Sequence, residues 1–111
     1  MRLPNAERAI IAPEKLRDYL LSPERSGGKA AFFERLGYTR ADWQRLESDF
    51  RASLTSEAEE VAPTQFGRKF VIRAALTGAS GATEEVLSVW IIRAGEEVPR
   101  FVTTYGGRTR R

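Results

Sequence analysis

The chain contains no cysteine and no histidine among its 111 residues. The absence of cysteine excludes disulfides, thiolate catalysis and zinc sites built on cysteine. The absence of histidine removes the usual general base near neutral pH and the commonest metal ligand. Any chemistry must therefore rest on lysine, arginine, tyrosine, serine, threonine or carboxylates, and we predict a protein that works without a metal or cofactor.

Long hydrophobic runs are also missing, so the sequence predicts no membrane-spanning segment and no membrane partner. The first residues, MRLPNAERAIIAPEK, lack the apolar stretch and cleavage site of a signal peptide. Together with the absence of cysteine, these features favour a cytoplasmic protein. A domain cut from a longer secreted chain would look the same.

The residues that are present suit one folded domain. Apolar residues make up 41% of the sequence and charged residues 30%, which is not a disordered profile. The 18 basic residues outnumber the 15 acidic ones, a mild excess that suits a polyanionic partner. We expect a single globular domain over residues 1–105 and a flexible basic tail over residues 106–111.

Hydrophobic spacing is helical in the first half of the chain and alternating in the second. It predicts three helices, beginning near Pro13, Lys29 and Arg40, and the third carries a stripe of Trp43, Leu46, Phe50 and Leu54. Alternating strands follow, with a short edge strand before Pro63. Helices followed by an antiparallel meander of about four strands predict an α+β fold, with the helices packed on one face of the sheet.

Three local expectations accompany this fold. The stretch SPERSGG is predicted to be a loop. The strand EEVLSVWIIR has a nearly continuous apolar run, so we expect it to be central and covered on both faces. In the last strand, simple alternation places Arg100, Val102 and Thr104 on one face and Phe101, Thr103 and Tyr105 on the other.

No phosphate-binding loop, dinucleotide-binding glycine pattern or nucleophile elbow is present. Basic and polar candidates follow the late strands instead: Arg73, Trp90, Arg93, Arg100, Thr103 and Tyr105. A sheet face of this composition can bind a phosphodiester and stack a base. Strand parity prevents all six from lining one face, and Trp90 is expected in the core. The loop SGGK adds Lys29 before a helix, as a phosphate ligand or as a solvated lysine after a tight turn.

Several phrases of the sequence resemble an uncharacterised bacterial domain family of toxin-associated type. They are LPNAERAIIAPEKLRDYLLSP, KAAFF, LGYT, FGRKFVIRAALTG and VWIIRAGEEVPRFVTTY, and the resemblance spans residues 3–105. Such domains occur as small stand-alone proteins and at the ends of secreted or phage-encoded chains. By analogy alone, the arrangement also resembles the fold of RelE-type, EndoU-type and colicin-type ribonucleases.

The resemblance implies a set of site residues. The family pattern has a lysine before the Ala-Ala-Phe-Phe helix, and a Pro-Arg followed by Thr and Tyr. It often has a histidine in the loop before that lysine, where this chain has Gly28; if that histidine is the family's general base, this protein has lost it. The implied catalytic residues are Lys29, Arg100 and Tyr105, and the implied substrate-binding residues are Arg73, Arg93 and Thr103.

Two functional hypotheses remain open from the sequence. The first is a metal-independent, toxin-type ribonuclease or nucleic-acid-directed toxin domain, whose partners are RNA and a cognate antitoxin or immunity protein. In it the basic residues neutralise and position the phosphate, and Tyr105 donates or accepts a proton. The second is a non-catalytic module of a larger bacterial or phage assembly that binds protein or nucleic acid. A DNA-binding antitoxin is disfavoured because no helix-turn-helix signal is present.

Overall fold

A computed structural model of the protein describes residues 1–61 and 63–106. Within these ranges the chain runs through a set of helices and then through a four-stranded antiparallel sheet. The predicted α+β fold is therefore confirmed. Of the predicted basic tail over residues 106–111, Gly106 ends the last strand, and the remainder lies outside the described residues.

The helical half begins with a 3-10 turn at Ala6–Arg8 and a π-helix at Glu14–Leu20. Three α-helices follow: α1 at Pro23–Ser26, α2 at Gly28–Leu36 and α3 at Trp43–Ala52, with a 3-10 turn at Ser53–Thr55. The loop prediction for SPERSGG is wrong for Pro23–Ser26, which form α1, and for Gly28, which begins α2. Pro23 takes a first helical position, where its missing N–H costs nothing. No helix in the described ranges is long and apolar enough to cross a membrane.

The sheet is a meander in which each strand pairs with the next along the chain. Its strands are β1 at Ala58–Glu60, β2 at Gly67–Thr77, β3 at Thr83–Arg93 and β4 at Arg100–Gly106. β2 and β3 pair along their whole length, from Gly67 opposite Arg93 to Thr77 opposite Thr83. The short edge strand expected before Pro63 is present as β1.

One face of the sheet holds the core. Buried side chains from this face, including Phe70, Ile72 and Trp90, pack against the helices. A run of aromatic contacts crosses the boundary between helices and sheet and links Phe33, Phe50, Phe101 and Trp90. β3 is central, as expected, but Leu87, Val89 and Ile91 on its other face are only half-buried, so the expectation of cover on both faces is wrong.

A β-bulge changes which residues of β4 share a face. Phe101 lies opposite Trp90, yet Thr103 lies opposite Val89, so Val102 is the extra residue. Phe101 and Thr104 are consequently both buried on the inner face.

The alternation expected for β4 is therefore wrong. By the pairing register, the outer face carries five of the six candidates from the late strands, all except Trp90: Arg73, Arg93, Arg100, Thr103 and Tyr105. The hydroxyl of Thr104, which is buried on the inner face, donates a 2.8 Å hydrogen bond to the carbonyl of Leu87.

Tyr38 links α2 to α3 by a buried polar contact. Its side chain is 1% exposed, and its hydroxyl donates to Asp49 Oδ2 at 2.5 Å. Burial raises the pKa of the Tyr38 phenol above its ordinary value of 10, and the hydrogen bond and charge of Asp49 raise it further.

The raised pKa of Tyr38 predicts an alkaline loss of stability. Because the folded-state pKa exceeds the unfolded one, the stabilisation is complete below about pH 10 and is lost as pH rises toward the folded value. We expect the melting temperature to fall above pH 10, and to fall less steeply in Tyr38→Phe. Phenolate absorption measures the titration itself. Ionisation of Tyr38 at the ordinary phenol pKa of about 10 would contradict this account.

Candidate functional site

A cleft of about 410 Å³ lies beside β4, and we call it the β4-edge cleft. Its walls come from the π-helix, from α1 and from the bulged part of β4. The lining residues are Glu14, Lys15, Tyr19, Arg25, Val102 and Thr103. The cleft therefore joins the first quarter of the sequence to its last strand.

Lys29 reaches the β4-edge cleft from the first turn of α2. Gly27, with a φ of +59°, makes the sharp turn between α1 and α2 that places Lys29 there. The Lys29 ammonium donates to Thr103 Oγ1 at 3.0 Å. It also lies 4.7 Å from the ring centroid of Tyr105 and 5.9 Å from that of Tyr19. A hydroxyl and two aromatic rings thus surround this one cation.

The positive charge of Lys29 interacts unfavourably with the dipole of α2, because it lies near the helix N-terminus. A cation near a helix N-terminus costs about 0.3–1 kcal/mol. The hydrogen bond to Thr103 and the two ring contacts offset that cost. An exposed lysine placed only for solubility needs no such surroundings, so this arrangement favours a functional role.

Lys15 completes the basic side of the β4-edge cleft. Its ammonium donates to the carbonyl of Val102, the bulge residue, at 3.1 Å. Together with Arg25 and Lys29 it places three cations around a cleft that holds one carboxylate, Glu14. This balance favours an anionic ligand such as a phosphodiester.

The predicted site residues are only partly gathered here. Lys29, Thr103 and Tyr105 lie together. Arg100 lies outside the lining, because its Nε donates to Glu96 Oε1 at 3.1 Å.

The other two predicted arginines also lie on the outer face but away from the cleft. Arg73 shares a cross-strand row with Tyr105, two strands or about 10 Å away, and its Nη1 is 3.7 Å from Glu85 Oε1. Arg93 lies four residues along β3 from the partner of Thr103, or about 13 Å.

Sequence reasoning missed four residues of the cleft. Lys15 and Tyr19 are four positions apart, which places them on one side of a helix and was a usable signal. Arg25 falls in SPERSGG, which the sequence predicts to be a loop.

The fold and the cleft define a small α+β domain with a basic cleft at one sheet edge. The chain belongs to the family described as a domain of unknown function, DUF6883, which it matches over residues 2–108. The predicted membership of a family of uncharacterised domains is confirmed. No curated protein matches the chain significantly.

Among solved structures, the chain is similar to a chain of the contact-dependent growth inhibition toxin–immunity protein complex from Klebsiella pneumoniae 342. The TM-score is 0.71 and the sequence identity 18%, over 95% of this chain and 98% of that chain. At this identity the similarity establishes a shared fold.

Proposed function

We propose that this domain is a toxin-type ribonuclease that cleaves RNA at the β4-edge cleft without a metal or cofactor. The observation that carries the proposal is the Lys29 ammonium, which bridges Thr103 and the Tyr105 ring within a basic cleft. The similar fold of a chain from a toxin–immunity protein complex supports a toxin-related or immunity-type module. The analogy to RelE-type and related ribonucleases points to the same class.

Metal-independent RNA cleavage requires three catalytic functions from the protein. One group takes the proton of the attacking 2′-hydroxyl, a second stabilises charge on the phosphate, and a third protonates the leaving 5′-oxygen. Lys29 suits charge stabilisation, because an ammonium held in place needs little rearrangement as the charge develops. Tyr105, whose ring lies beside Lys29, carries a hydroxyl that suits donation or acceptance of a proton.

The proposed mechanism uses no metal. The sequence has neither histidine nor cysteine. In the ranges that the structure covers, no group of three or more aspartates and glutamates is placed to hold a metal ion. Charge stabilisation in the proposed reaction is therefore assigned to lysine and arginine.

The outer face of the sheet extends the proposed substrate site beyond the cleft. Arg93, Arg100 and Thr103 lie on this face, along β3 and β4. An extended RNA strand can contact them in succession, with its phosphates on the guanidinium groups. Arg73 lies on the same face beyond Tyr105, where it contacts the strand on the other side of the scissile phosphate.

The proposed function also implies a partner protein, a cellular location and a domain boundary. A toxin of this type needs a cognate antitoxin or immunity protein, and RNA as its target places its action in the cytoplasm. We propose residues 1–105 as a single domain that carries the whole site.

A second function is favoured by one observation. Arg73 and Arg100 both form ion pairs with glutamates, Glu85 and Glu96 respectively. Arginines already paired in this way fit a non-catalytic module that binds a protein or nucleic acid as part of a larger assembly. In that case Lys29 and Tyr105 recognise a ligand and no bond is cleaved.

Cleavage of RNA by the purified protein in the presence of EDTA tests the proposal. We expect fragments with 2′,3′-cyclic phosphate ends, and no cleavage where a deoxynucleotide replaces the nucleotide before the scissile bond. Tyr105→Phe keeps the ring beside Lys29 and removes only the hydroxyl. We expect it to lower the rate about 10²- to 10⁴-fold if the hydroxyl transfers a proton. Intact RNA, together with normal growth on expression of folded protein, would favour the binding module.

A further inference from the structure

β2 is longer than its partner on the β1 side. β1 pairs only with residues Phe70, Val71 and Ile72. β2 continues to Thr77. The chain before β1 turns away into the 3-10 turn at Ser53–Thr55, so it does not pair with this last part of β2. Residues 73–77 therefore form a length of β2 that pairs with β3 on one side and with no described strand on the other.

The hydrogen-bonding direction along β2 can be assigned from its two ends. The N–H of Val61 donates to the carbonyl of Lys69 at 3.0 Å, so the backbone N–H and C=O of residue 69 point to the β1 side. The N–H of Gly78 donates to the carbonyl of Ala82, so residue 78 faces the β3 side. Since these groups alternate along a regular strand, the backbone groups of Arg73, Ala75 and Thr77 point to the β1 side.

The backbone groups at this edge have no protein partner in the part of the chain that the structure describes. No residue there donates to the carbonyls, or accepts from the amides, of Arg73, Ala75 and Thr77 across the β1 side. The side chains of these three residues are exposed. We call residues 73–77 the open β2 edge.

The opposite edge of the sheet is covered where β4 begins, from Pro99 to Val102. Ile10 pairs with β4, through its own N–H to the Pro99 carbonyl and through its carbonyl to the Phe101 N–H, both at 2.9 Å. Lys15 covers the carbonyl of Val102, and the bulge twists the strand there. Proteins commonly protect sheet edges by such means. Their absence at residues 73–77 singles out the open β2 edge.

A groove of about 310 Å³ runs beside the open β2 edge. Its lining combines the end of α3 and the turn after it with β2: Asp49, Ala52, Ser53, Ser56, Ala74, Ala75, Leu76 and Thr77. Most of these side chains are small, so another backbone can approach β2 to hydrogen-bonding distance. Ala74 and Leu76, which share the inner face of β2, make the base of the groove apolar.

We propose that an extended segment of a partner protein adds to the sheet as a fifth strand along the open β2 edge. Its backbone pairs with Arg73, Ala75 and Thr77. Its inward side chains are apolar, because they meet Ala74 and Leu76. Its outward side chains are acidic beside Arg73. The docking surface is distinct from the β4-edge cleft and does not depend on whether the protein cleaves RNA.

The groove chemistry selects a protein over a nucleic acid. A phosphodiester chain cannot satisfy a row of alternating amides and carbonyls. The carboxylate of Asp49 lines the groove, so phosphates are repelled from it. These features leave an extended peptide as the occupant.

The test uses the whole protein and a defined probe. The probe is a peptide of about seven residues with alternating valine and glutamate, long enough to span the edge. We expect it to shift the amide resonances of residues 73, 75 and 77, and to slow their hydrogen exchange at least about 10-fold. The control peptide has the same sequence with every second amide N-methylated, and we expect no effect from it.

Variants of the protein sharpen the test. Ala75→Pro removes an N–H that faces the open edge and leaves the β3 ladder intact, so we expect a folded protein that loses peptide binding. Ala75→Val keeps the N–H and serves as its control. Should Ala75→Pro fail to fold, Ala52→Arg fills the groove, and Gln44→Arg adds the same side chain elsewhere on α3. We expect Ala52→Arg to weaken peptide binding at least about 10-fold, and Gln44→Arg to leave it unchanged.

Three results would overturn the proposal. The first is no shift at residues 73, 75 and 77 with millimolar peptide. The second is equal binding by Ala75→Pro and Ala75→Val. The third is protection of the same amides by self-association without peptide, since the occupant would then be a second copy of this chain.

Discussion

Replacing Lys29 by alanine is expected to lower the rate of RNA cleavage about 10²- to 10³-fold and to leave the protein folded. The loss follows from removing the cation that bridges Thr103 and the Tyr105 ring. Stability should change little, because two effects oppose each other. The lost hydrogen bond costs about 1 kcal/mol, and removal of a cation from a helix N-terminus returns about 0.3–1 kcal/mol. Initial cleavage rates and a thermal melt measure both quantities.

Two further variants control this experiment. Arg35→Ala removes a cation from the same helix, α2, on an exposed position outside the cleft lining, and should leave the cleavage rate unchanged. Lys29→Arg keeps the charge but replaces a compact ammonium with a planar guanidinium, and should restore only part of the rate. Full activity in Lys29→Ala would show that RNA is cleaved elsewhere on the protein.

Replacing Phe50 by alanine is expected to reduce the free energy of unfolding by about 3–5 kcal/mol. Phe50 is 1% exposed, and its ring lies 6.3 Å from that of Phe33 and 5.1 Å from that of Phe101. It therefore fills the space between α2, α3 and β4. A small domain has only about 5–15 kcal/mol of stability in total, so much of the protein should unfold near physiological temperature.

Denaturant unfolding of Phe50→Ala measures this loss directly, and a thermal melt should show a decrease of roughly 15–30 °C. The matched control is Phe66→Ala, because Phe66 is 68% exposed in the turn before β2. We expect that change to stay within about 0.5 kcal/mol of the parent protein. Equal losses in the two variants would show that Phe50 does not pack as described.

Much of the architecture was predictable because single elements of this chain follow one period. In α3 the spacing of Leu46 and Phe50 identifies the buried face correctly. In β2 the alternation of Phe70, Ile72 and Leu76 does the same. These patterns are local, so the sequence contains all the information that they require.

The site was less predictable because it depends on contacts between distant parts of the chain. Lys29 meets Thr103 across 74 positions, and Lys15 meets Val102 across 87. The resemblance to a known family selected Lys29, Thr103 and Tyr105 for this site. It could not show that Arg100 is already paired with Glu96.

The extra residue in β4 has a consequence for comparing related chains. Val102 acts as a one-residue insertion in an otherwise regular strand. Deleting it would remove the bulge and leave Phe101 facing the core and Thr103 and Tyr105 facing outward, because neighbours along a regular strand alternate between the two faces. A relative with a single-residue gap here therefore still presents the counterparts of Thr103 and Tyr105 on the outer face, whereas a strand of equal length without the bulge would turn the same letters toward the core.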